Sequence, residues 1–85
     1  MKGQPIMMVE PQDGSILRVT FDTGNTVTVD MKPYFSGFRF GALQTLEIWS
    51  TADTDGRFVY WYKNGMTVAE LAYNEIIKMT LGESY

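Results

Sequence analysis

Eighty-five residues, 45% of them hydrophobic and 20% charged, describe one small folded domain spanning residues 1–85 rather than a disordered tail. There is no cysteine, so no disulfide or thiolate zinc site supports the fold, and the composition fits a reducing cytoplasm. The formal net charge of −3, with Lys2, Arg18, Lys32, Arg39, Arg57, Lys63 and Lys78 scattered along the chain, argues against binding nucleic acid by phosphate neutralisation.

In chain order, Ile6 to Glu10 is a short apolar run between Pro5 and Pro11, which suits an edge strand. Gln12-Asp13-Gly14 is a turn signal leading into the most strongly patterned stretch, Ser15 to Asp30. There Leu17, Val19 and Phe21 alternate with polar residues, as do Val27, Val29 and Met31, predicting a half-buried hairpin. The expected register pairs Phe21 with Val27, Val19 with Val29 and Leu17 with Met31. It sets Thr20 against Thr28 and Arg18 against Asp30, and leaves Thr23-Gly24-Asn25 as the loop. The first run pairs with this hairpin to make a three-stranded meander.

Pro33 ends the hairpin, and Tyr34, Phe35, Phe38 and Phe40, with Gly37 and Gly41 among them, predict a compact irregular segment folded back on the sheet. A turn of helix near Leu43–Leu46 and a strand from about Ile48 are expected next. Asp55-Gly56 is a second hairpin signal, and Arg57 to Lys63 reads as a central strand. Phe58, Tyr60 and Tyr62 share one face of that strand, Val59 and Trp61 the other. Asn64-Gly65 closes it. Thr67 and Glu70 fit a capping box, and Val68, Leu71, Ala72, Ile76 and Met79 follow at helical spacing. A helix over residues 68–80, stopped by Gly82, is therefore expected to pack on the sheet. The fold class is α+β: a small antiparallel sheet with a short helical segment and a C-terminal helix.

Catalytic chemistry finds few residues to use. Histidine is absent, which removes imidazole acid–base catalysis and the usual zinc ligands. No phosphate-cradling G-x-x-x-x-G-K loop occurs. Asp53-Thr54-Asp55-Gly56 looks like part of a calcium loop, but Lys63 or Asn64 stands where the bidentate acid belongs, so it reads as a turn. Carboxylate chemistry would need Asp22, Asp30 and Glu47 to converge. No catalytic, cofactor or metal residue is assigned. No run approaches the ~20 apolar residues of a membrane helix, and the N-terminal apolar patch is too short for a signal peptide. The expected location is cytoplasmic, with no membrane association.

From Ile16 onward the pattern resembles a bacterial family, domain of unknown function 2442. The residues that carry the likeness are Leu17-Arg-Val-Thr-Phe-Asp-Thr-Gly24, Val29-Asp30-Met31, Phe40-Gly-Ala-Leu43, Trp49, and Trp61-Tyr-Lys-Asn-Gly65, a W-x-N-G-type signature with one extra residue. The resemblance covers roughly residues 6 to 73. It implies an α+β fold and no established activity, catalytic residue or cofactor. The family often continues into an acidic-and-proline stretch ending in Leu-Tyr, where this chain has Met66 to Tyr73 and then runs on. Members occur alone, fused to helix-turn-helix domains, or encoded beside another small protein, which implies a partner-binding, regulatory or antitoxin-like role.

The functional expectation is a non-enzymatic protein-interaction module with an unidentified protein partner, its surface formed by Tyr60 and Tyr62 with Tyr34 and Phe38 nearby. The alternative is a small-ligand regulatory module with residues 34–40 as a lid. Nucleic-acid binding ranks third and requires Arg18, Lys32, Arg39 and Lys63 to cluster. An open strand edge or aromatic patch would invite self-association, and a homodimer is expected.

Overall fold

The computed structural model describes residues 5–80. Its first half is an antiparallel meander of β1 (Ile6–Gln12), β2 (Ile16–Phe21) and β3 (Thr26–Asp30), in that spatial order. The hairpin register differs from the expected one by two residues: Leu17 faces Val29, Val19 faces Val27 and Arg18 faces Thr28. The loop is responsible. Phe21 N–H donates to the Asn25 carbonyl at 2.8 Å and Gly24 N–H to the Phe21 carbonyl at 2.9 Å, so the turn closes one residue earlier on each side of its tip. Gly24, at φ 93°, occupies the left-handed bulge position of this three-residue loop. Because side chains alternate with period two, a two-residue slip leaves the faces unchanged. Leu17, Val19, Phe21, Val29 and Met31 are all buried.

Strand β1 pairs with β2 as expected but runs through Pro11 to Gln12. Pro11 lies opposite Leu17 at a position whose missing N–H would face away from the ladder, which is why the edge strand tolerates it. After β3, short 3-10 turns at Lys32–Tyr34 and Gly41–Gln44 carry the irregular segment. Phe35 and Phe40 turn into the core, Tyr34 is half-buried and Phe38 is fully exposed. Helix α1 (Leu46–Trp49) occupies the place where a strand was expected from Ile48. One helical turn sends Ile48 and Trp49 together into the core, and the Trp49 indole N–H donates to the Gln12 carbonyl at 3.1 Å. Tertiary packing outweighs the β-propensity of Ile and Trp here.

The second half is another meander, β4 (Asp53–Thr54), β5 (Phe58–Lys63) and β6 (Met66–Ala72), followed by helix α2 (Tyr73–Thr80). Strand β5 is central, as expected. The helix expected over residues 68–80 is half strand. Asn64 and Gly65 both have positive φ, 54° and 80°, the requirement of a tight two-residue hairpin turn, so the chain reverses and pairs. Trp61 faces Ala69 and Tyr62 faces Thr67, leaving Val68 as an extra, bulged residue. Beyond the bulge Ala69 and Leu71 point inward with strand period. The expected Thr67–Glu70 cap gives way to one five residues later: Glu75 Oε1 accepts the Ala72 N–H at 2.9 Å as α2 begins. Gly82, the expected stop, lies outside the described residues.

Both sheets close on one core. Leu17, Val19 and Met31 from the first half join Val59, Trp61 and Leu71 from the second, with Leu43 and Ile76 completing the cluster. Trp49 stacks on Trp61 with centroids 5.9 Å apart, and Phe35 and Phe40 meet the two indoles edge-on. The Trp61 indole N–H is buried with no acceptor among the described residues. The halves are also tied by the Ile6 N–H, which donates to the Gly56 carbonyl at 2.8 Å.

Candidate functional site

Strand β5 divides its residues strictly. Val59 and Trp61 are fully buried, while Phe58, Tyr60 and Tyr62 stand on the outer face of the second sheet. With no layer packed over that face among the described residues, the three rings form a ladder set by the two-residue strand repeat, centroids 6.0 Å and 6.4 Å apart and planes inclined by 26° and 36°. Tyr60 and Tyr62 are each half-buried, so neither is consumed by the monomer's core. Phe38 projects fully into solvent, and it borders a shallow groove of about 570 Å³ with Arg39, Tyr60, Val68 and Glu70. Val68, Met66 and Leu46 add further exposed apolar surface to the molecule.

The structure thus brings Phe38 and Tyr60 to one groove, with Tyr62 next along the ladder. Tyr34 is elsewhere: it packs against the core and lines a separate hollow with Pro33, Gly37 and Phe40. Phe58 belongs to the ladder, although only its alternation with Tyr60 and Tyr62 marks it in the sequence. Val68 joins through the bulge, which helical periodicity conceals.

Acidic groups surround the rings. Asp53 lies opposite Tyr60 on one side and Glu70 on the other. The Tyr60 hydroxyl donates to Asp55 Oδ2 at 3.0 Å, a bond that raises the phenol's pKa above the ordinary tyrosine value. Asp55 also accepts the backbone N–H groups of Arg57 and Phe58 at 3.0 Å each. Those bonds, foremost that of Arg57, hold its carboxyl below the usual range. Asp53 Oδ1 accepts the Thr54 N–H at 2.8 Å. Side-chain oxygens of Asp53, Thr54 and Asp55 thus accept the local backbone N–H groups, and the stretch turns the chain from β4 into β5.

One basic side chain organises the groove's wall. Arg39 forks onto Glu75 at 2.5 and 2.6 Å, donates to the Glu70 carbonyl at 3.0 Å, and lies 4.8 Å from the centre of the Phe40 ring. The Arg39 contact lowers the Glu75 pKa. Arg18 pairs with Glu10 at 3.5 Å, while Lys32 and Lys63 border different hollows. Asp22 and Glu47 likewise line separate hollows, and Asp30 accepts the Lys32 N–H at 3.1 Å. The irregular segment does not arch over a void, since Phe35 and Phe40 fill the core. A cleft of about 500 Å³ opens where Phe35 meets Gln12, Ser15, Lys32, Gln44 and Trp49. Among the described residues no helix is long and apolar enough to cross a membrane.

The fold and its exposed face define a small α+β domain of two antiparallel meanders on one core. The family model described as "Protein of unknown function (DUF2442)" matches residues 6–72, and the chain belongs to that family. The match ends where β6 ends, so α2 lies beyond it. Searches of curated proteins and of solved structures returned no match.

Proposed function

We propose that this domain is a non-enzymatic protein-interaction module, regulatory or antitoxin-like, acting in the bacterial cytoplasm on an unidentified protein partner and self-associating as a homodimer. The observation that carries the reading is the Phe58–Tyr60–Tyr62 ladder left on the outer face of β5 beside the fully exposed Phe38. Large rings in one patch are the side chains that anchor interfaces, and they bury much area at small entropic cost. The acids around them, Asp53, Asp55 and Glu70, favour a partner that places Arg or Lys side chains over the rings. Neither a nucleic acid nor a membrane suits this acidic, aromatic surface.

The test is capture from the native host with the tagged domain, in parallel with a Tyr60→Ser/Tyr62→Ser variant whose circular dichroism matches the parent. One protein recovered by the parent, lost with the variant and weakened by added salt is the expected result. Equal recovery by both baits refutes the surface. The cleft at Lys32 supports a second reading, a small-ligand regulatory domain. Ligand-induced chemical shifts at Lys32, Gln44 and Trp49 with none on the ladder would favour it.

A further inference from the structure

Four strands border the two sheets, and their edges are treated differently. In the first meander the hairpin bonds place the Val27 and Val29 backbone groups toward β2, between the Phe21–Asn25 and Ser15–Met31 bonds. Thr26, Thr28 and Asp30 therefore present their N–H and C=O groups outward. On β1 the outward positions include Pro11, which has no N–H, and a bulge between Ile6 and Met8. Strand β4 is two residues long. On β6 two of the outward groups are already taken: Arg39 bonds the Glu70 carbonyl and Glu75 the Ala72 N–H. Strand β3 carries none of these protections among the described residues. No lysine, proline or bulge interrupts it, and among the described residues no hydrogen bond reaches the outward backbone groups of Thr26, Thr28 and Asp30. Helix α2 packs against β3, with Ile76 and Val29 in one core cluster, yet among the described residues it makes no hydrogen bond to that edge.

The strand is also self-complementary. Thr26-Val27-Thr28-Val29-Asp30 reads nearly the same in both directions about Thr28. Antiparallel pairing with itself sets Thr28 against Thr28, Val27 against Val29 and Thr26 against Asp30. No like charges face each other, the two valines extend the buried face, and the Thr26 hydroxyl meets a carboxylate. Val27 is only partly buried in the monomer, so a partner valine would cover it further. We propose that β3 is the self-pairing edge: a second copy adds its β3 antiparallel with Thr28 on the two-fold axis, joining two three-stranded sheets into one of six strands. This inference rests on the self-association proposed above and assigns its surface. A five-residue edge buries less than the ~1,200 Å² of standard interfaces, so the dimer is weak and concentration-dependent.

Sedimentation velocity of the full chain from about 10 μM to about 1 mM tests it, together with amide exchange at Thr28. The expected result is a monomer–dimer equilibrium, with exchange at Thr28 slowing as dimer forms. Thr28→Glu places a carboxylate opposite Arg18 within the monomer, which keeps the fold, but sets two carboxylates together on the axis. It should weaken dimerisation at least tenfold at an unchanged melting temperature measured in dilute solution. Mixing Thr28→Glu with Thr28→Lys chains should restore a dimer, because opposite charges then meet. A monomer at every concentration overturns both self-association and its surface. A dimer indifferent to Thr28→Glu, or one not restored by mixing, overturns the β3 assignment and leaves self-association through another face.

Discussion

Replacing Arg39 with alanine removes four contacts at once, and the structure sets the size of the loss. The fork onto Glu75 is half exposed at the arginine, so water discounts it to about 0.5–1 kcal/mol. The bond to the Glu70 carbonyl adds about 0.5 kcal/mol, since that carbonyl sits on a sheet edge and regains water. The guanidinium 4.8 Å from the Phe40 ring centre adds about 0.5 kcal/mol. The sum, about 1.5–2 kcal/mol, corresponds to a fall in Tm of about 6–15 °C for a domain of this size. Thermal melts read the total, and a double-mutant cycle with Glu75→Gln, which keeps an acceptor for the Ala72 N–H, isolates the charged pair at about 0.5–1 kcal/mol. Acidity supplies an independent check. Arg39 depresses the Glu75 pKa, so the pair's contribution is complete above the ordinary glutamate range and is lost as pH falls through the folded-state value. Parent and Arg39→Ala should therefore converge in stability on acidification. A Tm change under about 2 °C, zero coupling in the cycle, or a gap that widens in acid would refute the reasoning.

Two further outcomes follow from single residues. At Gly24, φ is 93° and open space surrounds the position, so Gly24→Ala introduces backbone strain with no clash; a loss of about 1 kcal/mol is expected in urea melts, and unchanged stability would contradict the bulged turn. The Tyr60 phenol should titrate above ordinary tyrosine in ring-carbon NMR and move down when Asp55 becomes alanine, because its proton is shared with that carboxylate; a midpoint unmoved by Asp55→Ala would dismiss the bond.

The sequence discloses faces better than it discloses partners. Alternation in Leu17–Phe21 and Val27–Met31 identifies the buried side of the hairpin, but any even slip of register satisfies it equally. The register is decided by the loop, where Gly24 rather than Asn25 takes the bulge position. The C-terminal third misleads for a related reason. Val68, Leu71, Ala72 and Ile76 fit a helix, Ala69 and Leu71 fit a strand, and the period alone does not arbitrate. The deciding signal is Asn64-Gly65, a hairpin turn rather than a mere strand end. In the candidate site, the two apolar faces of β5 fit either a strand covered on both sides or one with an aromatic face left open, and the pattern of Phe58, Tyr60 and Tyr62 alone does not choose between them. Tyr34 and Phe38 sit in an irregular segment with no period to read, and the chain exposes one while tucking the other against its core.

The shared core has a consequence for how the chain comes apart. Neither meander has a hydrophobic layer of its own to close upon: Val19 and Met31 share one buried cluster with Val59, Trp61 and Leu71, and Trp61 packs against Trp49 and Phe40. A fragment ending after β3, or one beginning at α1, would leave half of an apolar interior facing water. The two halves of this protein should therefore be unable to fold apart yet able to reassemble when supplied as separate pieces, and in the intact chain they should melt as a single cooperative unit.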